Sequence, residues 1–159
     1  MKSVPVSQSY VIMTEMVLPT HTNALESVFG GVIMSWIDIA AAISAQRFCQ
    51  MPVVTASIDA LSFVAPVYKG WVVNLKASVN FSARTSMEVG VRVDAENPIQ
   101  KKVFHTASAY LTFVALGFDG KPAQVPPVLA ETPEQLRRFQ AAQSRRQSRL
   151  EQRERLLKG

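Results

Sequence analysis

The stretch from Gly31 to Gln50 limits the possible folds of this chain more than any other feature. It predicts one long helix, apolar on nearly every face, with Asp38 in its middle and Met51-Pro52 as its stop. A helix apolar all round has to be covered all round. The apolar run from Val32 to Ala45 is too short to span a bilayer, and Asp38 interrupts it. The cover must therefore come from protein.

The remaining pattern supplies that cover. Ser9 to Leu18, ended by Pro19, and Val53 to Phe63 read as strands. Three segments then alternate with period two. Leu75, Ala77, Val79, Phe81 and Ala83 face one way. Met87, Val89, Val91, Val93 and Ala95 repeat the pattern, with Glu88, Gly90, Arg92, Asp94 and Glu96 opposite, and so do Ala107, Ala109, Leu111 and Phe113. Such alternation marks antiparallel strands with one face on a core. The expected fold class is α+β: a long central apolar helix wrapped by an antiparallel sheet of about five strands. One sheet leaves part of the helix bare, so a second copy of the chain is expected against it.

At 159 residues the chain is expected to form one core. Its single cysteine, Cys49, and the absence of an apolar leader pattern in residues 1–10 fit a reducing cytoplasm. No His/Cys cluster has metal-ligand spacing, so neither a metal nor a cofactor is expected, and His21 and His105 read as structural. Charge is distributed unevenly. Residues 1–133 hold nine Lys/Arg and nine Asp/Glu, whereas 134–159 hold eight and three. The expected organisation is a domain over 1–120, a Pro-rich linker over 121–133 and a basic helical tail over 134–159. Thr132-Pro133 with Glu134 and Gln135 starts the tail helix. Leu136, Gln143, Leu150 and Leu157 fall on heptad spacing, but their neighbours are too polar to sustain a coiled coil. A solvated charged helix is expected there.

Asp38 carries the functional expectation. A carboxylate inside an apolar helix is costly unless it is paired, hydrogen-bonded or used. The helix is entered through a polar loop holding Asn23 and through Gly30-Gly31, whose backbone N–H groups can receive developing negative charge. Donor loop, anion-binding helix end and carboxylate are the parts of an acyl-transfer site. Gly30 and Asp38 lie eight residues apart, about 12 Å along a helix. One reacting centre cannot touch both, so a site using both would be shared between two chains.

The motifs resemble a known family, the hotdog-fold acyl-CoA thioesterases of the YciA and brain acyl-CoA hydrolase type. The matching residues are Thr22-Asn23-Ala24, Val28-Phe29-Gly30-Gly31 and Met34-Ser35-Trp36-Ile37-Asp38. Val54-Thr55-Ala56, then Asp59 to Val67, then Ala83-Arg84-Thr85-Ser86-Met87-Glu88-Val89 and Thr106 to Val114 continue the match. The family often has Gly where Ala83 stands, and a turn such as Asn-Gly at Leu25-Glu26. The resemblance implies a hotdog fold, hydrolysis of acyl-CoA to free acid and CoA, and assembly as a dimer and a trimer of dimers. Asp38 would be general base or nucleophile, Asn23 would position water or thioester, and the Gly30 and Gly31 amides would polarise the carbonyl. Thr55, Arg84, Thr85 and Ser86 would contact CoA. The alternatives are a non-catalytic acyl-CoA sensor on the same fold, or polyanion binding through the basic tail. No helix-turn-helix pattern precedes Ser9, and Phe139 is the tail's only aromatic, so nucleic acid is not the expected partner. No membrane partner is expected either.

Overall fold

The computed structural model describes residues 1–59 and 61–159. Its elements in chain order are β1 (Val4–Pro5), β2 (Val11–Met16), α1 (Gly30–Cys49), β3 (Val53–Ile58), β4 (Val72–Ser82), β5 (Ser86–Asn97), β6 (Lys102–Ala115), β7 (Val128–Leu129) and α2 (Pro133–Lys158). Five strands form one antiparallel sheet in the order β2-β4-β5-β6-β3, and β1 pairs with β7 in a small parallel ladder.

Helix α1 ends as its sequence requires. Gln50 adopts a left-handed conformation (φ 57°), and its N–H reaches the Gln46 carbonyl, so the chain turns before Pro52. Ile33, Trp36, Ile37, Ala40, Ala41, Ser44, Ala45 and Phe48 form the buried stripe. They pack on the inner face of the sheet, where Leu75, Val79, Met87, Val89, Val93, Leu111 and Phe113 are buried. By length and composition α1 would pass for a membrane span, but it is the core helix of the sheet. Its far side stays uncovered within one chain, with Met34 39% and Ile39 50% exposed.

The first two predicted strands are shorter in the structure. Val6–Ser9 is a 3-10 turn, held because the Ser9 hydroxyl donates to the Val6 carbonyl and accepts from the Val79 N–H. Strand β3 ends at Ile58, the Asp59 N–H still bonds the Tyr110 carbonyl, and the Phe63 ring closes over Gly30, where a Cβ would sit 3.1 Å from it. Ala60, part of the matched motif, lies outside the described residues.

A third difference changes the outer face. The register slips between Val79 and Phe81 opposite Val89 and Glu88, a bulge at Asn80. Phe81 therefore leaves the core-facing row and meets Phe139 of α2, ring centroids 5.1 Å apart. Glu88, expected on a solvated face, is buried there at 2% exposure.

Helix α2 lays one side on that outer face, so the expectation of a solvated helix holds for its other side and its last turns but not for the side that meets the sheet. Its start is as read: Thr132 caps it by accepting from the Gln135 N–H, with Pro133 in the first turn. The stripe facing the sheet is offset by one residue from the heptad positions. Gln135 and Ala142 are buried, while Leu136 and Leu157 stay exposed. The Pro-rich segment is also laid down on the fold, with Val125 buried and its N–H bonded to the Arg84 carbonyl.

Candidate active site

The N-terminus of α1 is bare of side-chain caps. Phe29 flanks it in an extended conformation without a capping side chain, and its carbonyl accepts the Val32 and Ile33 N–H groups. The amides of Gly30 and Gly31 lie in the first turn, where the helix offers no acceptor. Close behind, the His21 ring stands edge-on to Trp36 at 5.1 Å, and its Nδ1 accepts from the Leu18 N–H. His21 is thus packed against α1 and tied to its own turn.

Asn23 organises its own loop. Its Oδ1 accepts the Leu25 N–H at 2.9 Å and the Ser27 N–H at 3.3 Å, and its Nδ2 donates to the Ser27 hydroxyl at 3.0 Å. An amide nitrogen has two hydrogens, so one remains for a ligand.

Asp38 lies at mid-helix with a single side-chain partner among the described residues. The Thr55 hydroxyl donates to its Oδ1 at 2.7 Å. Thr55 sits on β3, the edge strand, whose outer edge has no strand neighbour among the described residues. A bulge between Thr55 and Ser57 changes the face on which successive side chains emerge. The structure therefore joins Asp38 to Thr55, with Gly30 and Gly31 two turns away at the N-terminus of the same helix and Asn23 in the loop that leads into it.

Arg84 and Thr85 lie in the turn from β4 to β5 and Ser86 opens β5, with β6 between it and β3. The ladders bring Val54, Val114 and Ser86 into one row across three strands. Thr85 and Ser86 line a cleft of about 1160 Å³ between the outer sheet face and the second half of α2. Arg84 is exposed, and its carbonyl anchors Val125.

Sequence reasoning missed the group that closes this cleft. Arg145 grips Glu88 through Nε and Nη2, the shortest contact being 2.7 Å, and stacks on Tyr110 with 3.6 Å to the ring centroid. Arg149 bridges Glu88 (3.3 Å) and Asp59 (3.2 Å), and Asn80 donates to Glu88 at 3.1 Å. Burial alone would lower the Arg145 pKa. The hydrogen bond and charge of Glu88, supported by Tyr110 and Asp59, outweigh that and hold it above its ordinary value. The only sequence signal was the helical spacing of Gln135, Phe139, Ala142, Arg145 and Arg149 on one side of α2.

Among the described residues no group of three or more His, Cys, Asp or Glu could hold a metal. Cys49 is buried, and that burial pushes its thiol pKa up. His105 stays on the surface, 3.4 Å from Asp94.

The family model described as the thioesterase superfamily matches residues 25–101. The chain is 41% identical over 129 residues to the "uncharacterized acyl-CoA thioester hydrolase YkhA" of Bacillus subtilis, covering 81% of this chain and 75% of that one. It is 36% identical over 142 residues to the cytosolic acyl coenzyme A thioester hydrolase of Rattus norvegicus; this covers 88% of the chain but only 37% of that longer protein. Among solved structures, an apo-hexameric acyl-CoA thioesterase superposes with a TM-score of 0.91 at 38% identity, covering 96% of this chain and 97% of that one. An acyl-CoA hydrolase from Staphylococcus aureus, solved with butyryl-CoA, CoA and CoA disulfide, gives 0.88 at 33%, covering 98% and 97%. That hydrolase has also been solved as three single variants, with an asparagine, an aspartate or a threonine replaced by alanine. Those three positions are spaced 15 and 17 residues apart, as Asn23, Asp38 and Thr55 are here.

Proposed function

This chain belongs to the thioesterase superfamily, and from that premise we propose that it hydrolyses acyl-CoA thioesters to free acid and CoA. The observation that carries the reading is the pair Asp38–Thr55: a carboxylate in an apolar helix, fixed by one hydroxyl at 2.7 Å, with its remaining acceptor sites unused by the chain's described side chains. Once a second copy covers that side of α1, a purely structural carboxylate there would need its acceptor sites bonded.

The roles follow from the geometry. Thr55 donates to Asp38 and fixes its orientation. Asp38 acts as general base toward water or as the nucleophile itself. Asn23 orients the water or the thioester with its spare N–H. The Gly30 and Gly31 amides polarise the carbonyl and stabilise the oxyanion. Water adds its hydroxyl to the acyl carbon, the carbon–sulfur bond breaks, and the leaving sulfur takes up a proton as CoA thiol. Neither a metal nor a cofactor is needed.

The active unit is a homo-oligomer. About 12 Å of helix separates Gly30 from Asp38, so one chain supplies the helix N-terminus and its partner supplies Asp38. The uncovered side of α1 (Met34, Ile39) and the open edge of β3 (Val54, Ile58) are the apolar surfaces a second copy would bury. The hexameric relative supports a trimer of such dimers. The Staphylococcus variants support the choice of Asn23, Asp38 and Thr55. A cytoplasmic location fits the cytosolic relatives.

The test is release of free CoA from acyl-CoAs of graded chain length, followed with a thiol reagent. Buried Cys49, its pKa raised, leaves that signal to the product. Turnover that persists in chelator is expected. No turnover at any chain length, or loss of it with chelator, overturns the reading. The shared site has its own test. Chains inactivated at Asp38, mixed with chains inactivated at Asn23, should regain activity on subunit exchange, and verified exchange without recovery places both residues in one chain's site.

A further inference from the structure

The ion pairs of α2 are unevenly distributed, and the imbalance falls inside the cleft behind β3. Arg137 and Arg138 both pair with Glu134, and Arg155 pairs with Glu151. Four further arginines, at 145, 146, 149 and 153, line one wall of the cleft, and its carboxylates are Asp59 and Glu88. Arg145 and Arg149 are committed to those two carboxylates. Among the described residues Arg146 and Arg153 take part in no ion pair. The cleft thus carries two unspent positive charges, and facing them are the hydroxyls of Ser57, Thr85 and Ser86. Both walls belong to one chain.

We infer that Arg146 and Arg153 bind the phosphate-bearing end of the thioester substrate, with Glu88 as the positioning residue that fixes α2 at the distance this requires. The inference rests on the acyl-CoA reading above. Three observations carry it. A guanidinium fits a phosphate with two parallel hydrogen bonds. The volume of about 1160 Å³ is ample for a nucleotide with its phosphates. Finally, Ser57 in the cleft and Thr55 beside Asp38 are two residues apart on β3, on opposite faces of the strand because of the bulge between them. That short separation along β3 lets a flexible arm connect a phosphate end in the cleft to a thioester at Asp38. Glu88 acts only through Arg145 and Arg149. By holding those two it keeps their charge from competing and sets the helix above the sheet.

The experiment uses the full-length oligomer and the variants Arg146→Ala, Arg153→Ala and the double. One acyl group is offered as its CoA ester and as its N-acetylcysteamine ester, which lacks the nucleotide, and free CoA binding is titrated in parallel. Each arginine removed should raise KM for the CoA ester and Kd for CoA about tenfold, the size of one charge-assisted hydrogen bond. The kcat should stay within twofold, and kcat/KM for the short ester should not move. Arg146→Lys should restore part of the loss. Unchanged KM and Kd in the double variant overturns the inference while leaving thioesterase activity in place, as does an equal loss on both esters. A wild-type protein that binds CoA through these arginines yet hydrolyses neither ester keeps the phosphate site and overturns the proposed function instead.

Discussion

Asp38 and Glu88 occupy opposite faces of the same sheet and show what a carboxylate in this fold is for. Glu88 is 2% exposed and takes Arg145, Arg149 and Asn80, so its charge is spent on holding α2 to the sheet. Asp38 is half-buried among apolar neighbours and takes a single hydroxyl. The better-buried group is the better-satisfied one, and is structural. The group with one side-chain partner among the described residues is the one proposed to meet a substrate. Burial alone would have ranked the two the other way round; hydrogen-bond satisfaction ranks them by role.

The sharpest way to break this comparison is to remove each charge separately. Asp38→Asn should lower kcat by a factor of 10² or more, with unfolding midpoint and CoA affinity unchanged or slightly raised, since a costly charge has gone. A folded variant that keeps near wild-type kcat makes Asp38 structural and dissolves the distinction. Glu88→Ala should do the reverse and cost about 2–3 kcal/mol in urea unfolding, because Arg145 loses its counter-ion and Arg149 keeps only Asp59. Arg145 and Arg149 remain about one-quarter exposed, which keeps the cost at the lower end for a broken buried pair. The kcat should change less than threefold. A larger loss of kcat than of stability would place Glu88 in the chemistry.

The two faces also differ in how much of them the sequence revealed. On the inner face, α1 and the alternating rows of β5 and β6 follow directly from the side chains, because burial in apolar surroundings leaves a periodic mark. Asp38 was legible because it violates that pattern, and the Gly30-Gly31 pair because it begins it. The outer face left no such mark. A strand that alternates Met87, Glu88, Val89 looks the same whether its polar side meets water or an arginine-rich helix. The bulge at Asn80, which turns Phe81 toward Phe139, depends on backbone pairing that no residue announces. The charge count marks residues 134–159 as a basic segment, but excess charge does not tell whether the partner is solvent, a ligand or a buried glutamate. For the same reason the closing contacts at Arg145 and Arg149 were invisible until the fold was in hand.

The smallest effect tests the outer-face network at its tightest point. Gly90 faces Gly-sized space, because a Cβ there would come within 2.7 Å of the Asn80 Nδ2 that bonds Glu88. Gly90→Ala must therefore displace the Asn80 amide and forfeit its hydrogen bond to a charged group, a loss of about 1.5–3 kcal/mol. Against this, replacing glycine inside a strand with alanine returns about 0.5–1 kcal/mol of backbone entropy. The net expectation is a destabilisation of about 1 kcal/mol, read as a shift in the urea midpoint with catalysis untouched. The sign supplies the decisive control. In an Asn80→Ala background the clash and the bond are both absent, so Gly90→Ala should become neutral or stabilising. If the substitution destabilises equally in both backgrounds, the Asn80–Glu88 contact contributes nothing, and Glu88 is held by its arginines alone.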